Sequence, residues 1–190
     1  RPDDPLYLCS SKLIPDNQTR ETCYSYITPY LFELVSLDGA HPQNEELKKA
    51  FLSCNAIPSG ESIFRSTCFG GFGKEFVGLV IGRDIRANSV ESMSDSQLSD
   101  IYNLCLLAGT RDMSAACMLQ GLDSLFWGGE NDPKVSIQFC SIMPEDFYQR
   151  SCMEHLFKIA DYYLQNTGQK EDFCNQISGE YRNRCRMILK

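Results

Sequence analysis

The sequence has few of the residues on which several functional classes depend. Its 190 residues include two histidines and one tryptophan, and 18 Lys and Arg against 25 Asp and Glu give a net charge of −7. Binding to nucleic acid needs a surplus of Lys and Arg to meet the phosphates, and anionic lipid surfaces attract the same residues. We therefore expect neither nucleic acid nor an anionic membrane surface among the partners of this protein.

Long apolar runs are also missing. The best candidate, residues 69–81, contains Lys74 and Glu75 and is shorter than the roughly 18 apolar residues that a membrane-spanning helix needs. We expect no transmembrane segment in this chain. The chain starts at Arg1 instead of Met, which we interpret as the result of signal-peptide removal, with a trimmed start as the alternative.

Motifs for metal and redox chemistry are absent as well. No C-x-x-C or C-x-x-C-H occurs, so the usual signatures of zinc ribbons, thioredoxin-type sites and c-type haem are missing. His41 and His155 are too few for mixed Cys/His zinc sites. Cys152 and His155 would share a helix face, but no third ligand accompanies them, and we favour a surface or half-buried histidine. We expect no metal and no cofactor.

Cysteine is the residue that the chain has in quantity. Ten cysteines form five tight pairs, namely Cys9/Cys23, Cys54/Cys68, Cys105/Cys117, Cys140/Cys152 and Cys174/Cys185. An even number of cysteines at regular spacing is typical of disulfides in an oxidising compartment. We therefore expect an extracytoplasmic protein, whether periplasmic, at the cell surface or secreted.

The segments around the pairs have helical patterns. Apolar residues before the second pair follow the i, i+3, i+4, i+7 spacing of a helix with one buried face, at Leu47, Ala50, Phe51 and Cys54. We find no convincing strand pattern. Each segment predicts a helix that ends at the first cysteine, a short connector, and a second helix with its cysteine about two turns from the start. Pro58 and Pro144 are expected in the first turn of that second helix.

Such hairpins determine the disulfide pairing and the fold class. In an antiparallel hairpin the two cysteines of a pair face each other at disulfide distance, so nearest-neighbour pairing is predicted. We predict a single all-α domain over residues 1–190, built of tandem helical hairpins in an open solenoid or a compact array. Two hairpins are expected in residues 1–83 and three in residues 98–190, with a polar loop at residues 84–97.

The five segments share further residues. An I-P…[FY]-R-x-x-C trend, as in residues 57–68, recurs at other pairs, and internal similarity of this kind is typical of solenoids. The chain thereby resembles disulfide-bracketed α-hairpin arrays of secreted or periplasmic bacterial proteins, and loosely Sel1-like and tetratricopeptide-like solenoids. The tetratricopeptide signature and a constant repeat length are absent. The resemblance implies a role as a protein-interaction scaffold.

A recurring arginine precedes the second cysteine of three pairs by three residues, at Arg20, Arg65 and Arg182. We expect these side chains to donate to the carbonyls that end the preceding helix, which otherwise lack partners. Ligand binding is the alternative.

The most unusual segment, residues 68–82, has five glycines inside a predicted helix: Gly70, Gly71, Gly73, Gly78 and Gly82. Each interior glycine costs a helix roughly 1 kcal/mol relative to alanine. We favour close helix packing as the explanation, with Gly78 and Gly82 forming a small-residue groove. The alternative is a surface where an apolar ligand or a partner helix approaches the backbone.

Three other residues are candidates for surface roles. Trp127 precedes two glycines, and Tyr30 lies in an aromatic-rich stretch, so either could be an exposed interface anchor. Asn17-Gln18-Thr19 matches the glycosylation sequon and falls in a predicted hairpin loop, so Asn17 is a possible acceptor.

We therefore predict a non-enzymatic scaffold or accessory subunit that binds other protein subunits through its helical face. The alternative is a carrier of an apolar small molecule or pigment, held in a groove beside the glycine-rich helix at residues 68–82. An enzyme is the third hypothesis, but no triad, metal cluster or acid pair stands out, and we predict no catalytic residue.

Overall fold

The computed structural model describes residues 4–35, 42–82, 89–128 and 133–189. These residues form α-helices and two short 3-10 turns, at Cys54–Ala56 and Val90–Ser92, and contain no strand. The helices are α1 (Tyr7–Ser10), α2 (Asn17–Tyr26), α3 (Thr28–Val35), α4 (Asn44–Ser53), α5 (Ser62–Val80), α6 (Asp95–Leu106), α7 (Arg111–Gly128), α8 (Pro133–Ser141), α9 (Asp146–Tyr163), α10 (Thr167–Gln176) and α11 (Gly179–Ile188). The predicted all-α fold is confirmed. No described helix is long and apolar enough to span a bilayer.

Five disulfides link neighbouring helices into hairpins. The bonds are Cys9–Cys23, Cys54–Cys68, Cys105–Cys117, Cys140–Cys152 and Cys174–Cys185, as the sequence predicted. Their Cα–Cα distances lie between 5.4 and 5.8 Å, within the usual range for a disulfide. Each second cysteine is the seventh residue of its helix, counting from Asn17, Ser62, Arg111, Asp146 and Gly179. Seven residues are about two turns of helix, so the predicted position of the second cysteine is confirmed.

The predicted position of the prolines is wrong. Helix α5 begins at Ser62, so Pro58 lies in the connector before it, and Pro144 likewise precedes α9. The N–H of Glu61 donates to the carbonyl of Pro58 at 2.9 Å, which shows that a turn occupies the residues between proline and helix. Ile57 is extended, with φ −70° and ψ 127°, as the residue before a proline prefers.

The polar loop predicted at residues 84–97 ends earlier than expected. Its residues 84–88 lie outside the described ranges. Helix α6 begins at Asp95 because Ser94 caps it, with the Ser94 hydroxyl accepting from the N–H of Gln97. The Gln97 side chain accepts from the N–H of Ser94 in return, at 3.0 Å. This reciprocal capping box satisfies two helix-end donors and moves the start of the helix ahead of residue 97.

Helices α5 and α7 occupy the centre of the molecule and form its most extensive helix–helix interface. Helix α5 also packs against α2, α3 and α6, and α7 against α6, α8 and α9. Phenylalanines dominate the α5 side of this core, and Phe51 of α4 stacks on Phe72 of α5 with ring centroids 4.1 Å apart. Because α5 belongs to the second hairpin and α7 to the third, this interface joins the two groups of hairpins through one shared core.

Three glycines, Gly70, Gly71 and Gly73, make the close approach of α5 to its neighbours possible. A Cβ at Gly73 would lie 1.8 Å from the carbonyl oxygen of Cys117, and one at Gly71 would lie 2.5 Å from Oγ1 of Thr28. Both distances are far below the 3.5–4.0 Å of normal contact. Close packing therefore accounts for these glycines, and they do not line an open groove.

Gly78 and Gly82 have a different environment. Among the described residues, a Cβ at either position would meet nothing within 4 Å, so the two glycines form no packing groove. Gly82 follows the end of α5 with φ +70°, a left-handed conformation that commonly terminates helices. Gly82 therefore ends α5, and Gly78 is a half-buried helical position without a close neighbour.

Candidate binding cleft

An open cleft of about 830 Å³ lies where α2, α5, α7 and α9 meet. We call it the aromatic cleft, because Tyr26, Trp127, Tyr162 and Tyr163 line it. Its volume is in the range of roughly 300–1,000 Å³ that is common for ligand sites. Since its residues come from four helices, each of a different hairpin, only the assembled core creates this cleft.

The aromatic side chains of the cleft are largely exposed. Tyr26 is 65% exposed, Trp127 53% and Tyr162 79%. The ring of Tyr163 lies edge-to-face against both Trp127 and Tyr162, with centroid distances of 4.5 and 4.7 Å. Such edge-to-face contacts between aromatic rings are favourable. The cleft thus presents a cluster of contacting aromatic rings to solvent, which is typical of an interaction site.

Two lysines lie in the same cleft. The ammonium of Lys74, on α5, is 3.2 Å from the centroid of the Tyr26 ring, which is a cation–π contact. Burial lowers the pKa of Lys74, and the charge of Glu75, whose carboxylate is 3.8 Å away, acts in the opposite direction. Lys158 of α9 is exposed and forms no ion pair with a described residue.

Asp123 of α7 also lines the cleft, but both oxygens of its carboxylate already have hydrogen-bond partners. Its Oδ1 lies 2.8 Å from Nε2 of His155, and its Oδ2 accepts a hydrogen bond from Nε2 of Gln120 at 2.9 Å. The contact with His155 connects α7 to α9, the two helices whose last turns carry Trp127 and Tyr162. Asp123 therefore positions the walls of the cleft.

Gly70 contributes to this arrangement from α5. A Cβ at Gly70 would lie 2.5 Å from Cγ of Gln120, so the absence of a side chain there leaves room for the Gln120 side chain, which donates to Asp123 on its own helix α7. The glycine-rich helix thus shapes the cleft indirectly, and Lys74 is the α5 side chain that lines it.

The two aromatic residues predicted as surface anchors differ in their exposure. Trp127 is exposed in the cleft, whereas Tyr30 is half-buried against the core and does not line it. Sequence reasoning missed Tyr26, Lys74 and Tyr162. Tyr162 falls outside the apolar stripe of its helix, and an aromatic residue in such a position is a detectable signal of exposure.

His155 is half-buried and hydrogen-bonded to Asp123, while Cys152 is bonded to Cys140. The two residues therefore form no Cys/His site. No group of three His, Cys, Asp or Glu side chains within the described ranges is arranged to hold a metal ion. His41 lies outside the described residues.

The three recurring arginines differ in their contacts. Arg182 donates through Nε to the carbonyl of Ile177 at 2.7 Å, at the end of α10, as predicted. Arg65 instead donates to the side-chain oxygen of Asn55, and Arg20 lies over the ring of Phe64 at 5.4 Å. The predicted carbonyl contact is therefore confirmed at Arg182 alone, and the Nε atoms of Arg20 and Arg65 have no hydrogen-bond partner among the described residues.

Asn17 is exposed, but it is the first residue of α2 and does not lie in the connector loop. The preceding Asp16 caps the helix by accepting from the N–H of Thr19 at 2.7 Å. The hydroxyl of Thr19 donates to the same carboxylate at 2.9 Å. The sequon therefore coincides with a capped helix start.

Comparison with known proteins yields no match: no protein-family model matches the chain, and no curated protein or solved structure is significantly similar to it. The structure itself defines the class of protein. It is an all-α protein of disulfide-linked helical hairpins, with an open aromatic cleft between the hairpins.

Proposed function

We propose that this protein is a non-enzymatic, extracytoplasmic scaffold whose aromatic cleft binds a segment of a partner protein. The observation behind this proposal is the cluster of exposed Tyr26, Trp127 and Tyr162 around one cleft. Tyrosine and tryptophan are the residues most enriched among those that dominate protein–protein binding energy. The resemblance to secreted α-hairpin arrays, which act as interaction scaffolds, supports the same role.

The disulfides support the extracytoplasmic part of the proposal. All ten cysteines are paired in local hairpins. Stable disulfides in this number are rare in reducing compartments. Each closes a short loop, and such loops stabilise the fold by roughly 3 kcal/mol in the chain-entropy model. The hairpins would therefore resist local opening in a protease-rich environment.

The ring contacts within the cleft favour binding of a partner. The ring of Tyr163 already contacts Trp127 and Tyr162 in the free protein. A partner then loses less free energy in ordering these side chains than it would against a mobile surface.

Selection of peptides tests this function. A phage-displayed library of random linear peptides is selected on the oxidised full chain, and the enriched peptides are measured by isothermal titration calorimetry. We expect Trp127→Ala and Tyr162→Ala each to weaken binding at least about tenfold, as the loss of an interface anchor does. Leu13→Ala is the matched control, because Leu13 is an exposed apolar residue (88%) that does not line the cleft.

Two results would contradict the function. One is the absence of any enriched peptide, and the other is equal affinity of the enriched peptides for wild type and for Trp127→Ala. Circular dichroism of each variant checks that the helices and the melting temperature are retained, which we expect because all three side chains are exposed.

A carrier of an apolar small molecule is the second candidate function. The volume of about 830 Å³ and the position beside α5 favour it. The exposure of the aromatic rings weighs against it, because a small apolar ligand would keep one side in water and lose part of its burial free energy. Native mass spectrometry of protein from its natural source distinguishes the two, since a carrier would retain a bound molecule of constant mass.

A further inference from the structure

The hydrogen-bonding groups of the aromatic cleft differ in whether they already have a partner within the protein. Asp123 is an acceptor on the cleft surface, but both of its oxygens are engaged by His155 and Gln120. The ammonium groups of Lys74 and Lys158 are donors without a close carboxylate partner among the described residues, apart from Glu75 at 3.8 Å from Lys74. A ligand that fits this cleft must therefore bring an acceptor, and a negative charge suits it best.

Lys74 is the better placed of the two cations. Its side chain is only 24% exposed, and its ammonium is held against the Tyr26 ring at 3.2 Å. Because burial has already removed part of its hydration, a ligand carboxylate displaces less water from this ammonium than from a fully exposed one. Burial lowers the pKa of Lys74, and the carboxylate of Glu75, 3.8 Å from the ammonium, offsets this lowering only in part.

The neighbours of Lys74 define the rest of the ligand. Tyr26, Trp127 and Tyr162 are apolar surfaces with a polar tip, so they favour an apolar or aromatic side chain next to the charged group. The overall charge of −7 opposes a strongly acidic partner, because long-range repulsion slows its approach. A single carboxylate within an apolar segment satisfies both conditions.

We infer that the cleft recognises a partner-protein segment with one Asp or Glu flanked by apolar side chains, whose carboxylate binds Lys74 and whose apolar residues pack on Trp127 and Tyr162. This inference rests on the proposed function and adds the chemical class of the segment. Lys158, exposed on the facing helix α9, is the second donor available to the same carboxylate or to a backbone carbonyl of the segment.

The test uses peptides enriched on the oxidised full chain and a double-mutant cycle. In each enriched peptide the acid is replaced by its amide, Glu by Gln or Asp by Asn, and affinity is measured for wild type and Lys74→Met. We expect the amide peptide to bind wild type about tenfold more weakly, the magnitude of one charge-assisted hydrogen bond. Against Lys74→Met the acid and amide peptides should bind alike, because the charge that distinguishes them is gone.

The control is Lys49→Met, which removes an exposed lysine that does not line the cleft, and it should leave the preference for the acid unchanged. Lys158→Met is a second, independent variant, for which we expect a smaller loss of that preference. Raising the salt concentration should weaken the acid peptide more than the amide peptide.

The outcomes separate the inference from the function on which it rests. Enriched peptides that lack an acid, prefer Lys or Arg, or bind equally as acid and amide would overturn the inference and leave peptide binding intact. Binding of dodecanoate with no peptide enriched would overturn both, in favour of an acidic small molecule. Concentration-dependent dimers that vanish in Trp127→Ala, again without enriched peptides, would identify a second copy of this chain as the occupant and overturn the inference as well.

Discussion

Two consecutive residues of α5 have opposite surroundings. At Gly73 the helix approaches α7 so closely that a Cβ would lie 1.8 Å from a carbonyl oxygen, whereas Lys74 faces the open aromatic cleft. Neighbouring residues on a helix point about 100° apart, because a turn has 3.6 residues. One face of α5 therefore holds the core together and the next shapes the cleft, so substitutions at Gly73 and Lys74 should separate stability from binding.

The largest expected effect is that of Gly73→Ala. The added methyl would overlap the backbone of Cys117, which cannot rotate away as a side chain could, so α5 and α7 must move apart. We expect a loss of more than about 4 kcal/mol of unfolding free energy, or failure to fold, because overpacking against backbone is among the most severe single changes. Urea unfolding followed by circular dichroism measures it.

Gly78→Ala is the matched control within the same helix. No described atom lies within 4 Å of a Cβ at this position, and Gly78 is inside α5. Alanine should stabilise the helix by about 0.5–1 kcal/mol, because it loses less backbone entropy on folding. Equal stability of the two alanine variants would refute the close contact at Gly73.

An intermediate effect is expected from removal of the central disulfide by Cys105→Ala with Cys117→Ala. The bond spans 12 residues, and loops of this length contribute roughly 3 kcal/mol in the chain-entropy model. For a chain of this size that loss lowers the melting temperature by about 6–12 °C. Calorimetry under oxidising conditions measures it.

The terminal disulfide offers a comparison of nearly equal loop length, since Cys174 and Cys185 are 11 residues apart. If loop entropy dominates, its removal should lower stability by a similar amount. A loss at the centre that exceeds the terminal loss by more than about 2 kcal/mol would show instead that packing of α5 on α7 depends on the central bond.

The smallest expected effect on stability is that of Lys74→Met. Burial lowers the pKa of Lys74 below its ordinary value near 10.5, so the charged side chain opposes folding at neutral pH. The stability of wild type relative to Lys74→Met should therefore rise as the pH increases from that lowered pKa towards 10.5. At neutral pH the melting temperature should change by less than about 3 °C or increase slightly. A large decrease in melting temperature would mean that the contact between Lys74 and Tyr26 stabilises the fold and is not part of a binding site.

Much of the fold could be predicted because its determinants are local. The apolar spacing before Cys54 and the short interval to Cys68 lie within one hairpin, so helices and disulfide pairing follow from neighbouring residues. Helix starts were less predictable. Pro58 lies in a turn closed by Glu61, and Ser94 caps α6, because hydrogen bonds of single residues decide these boundaries.

The cleft was only partly predictable. Trp127 stood out as a single tryptophan before two glycines, but Tyr30, which has a similar aromatic context, is half-buried against the core. The exposure of Tyr26 and Tyr162 depends on helices that are distant in the sequence. Local sequence patterns indicate whether a residue can be buried, but they do not indicate which helix will pack over it.

The amino-acid sequence by itself determined the helical hairpins, their five disulfides and the need for close packing at the glycines of α5, because each depends on residues near one another in the chain. Only the tertiary structure decided which glycines lie in contacts and that Lys74, Trp127 and Tyr162 surround one cleft. The physical reason is that packing between hairpins depends on the shapes of surfaces brought together from separate parts of the chain.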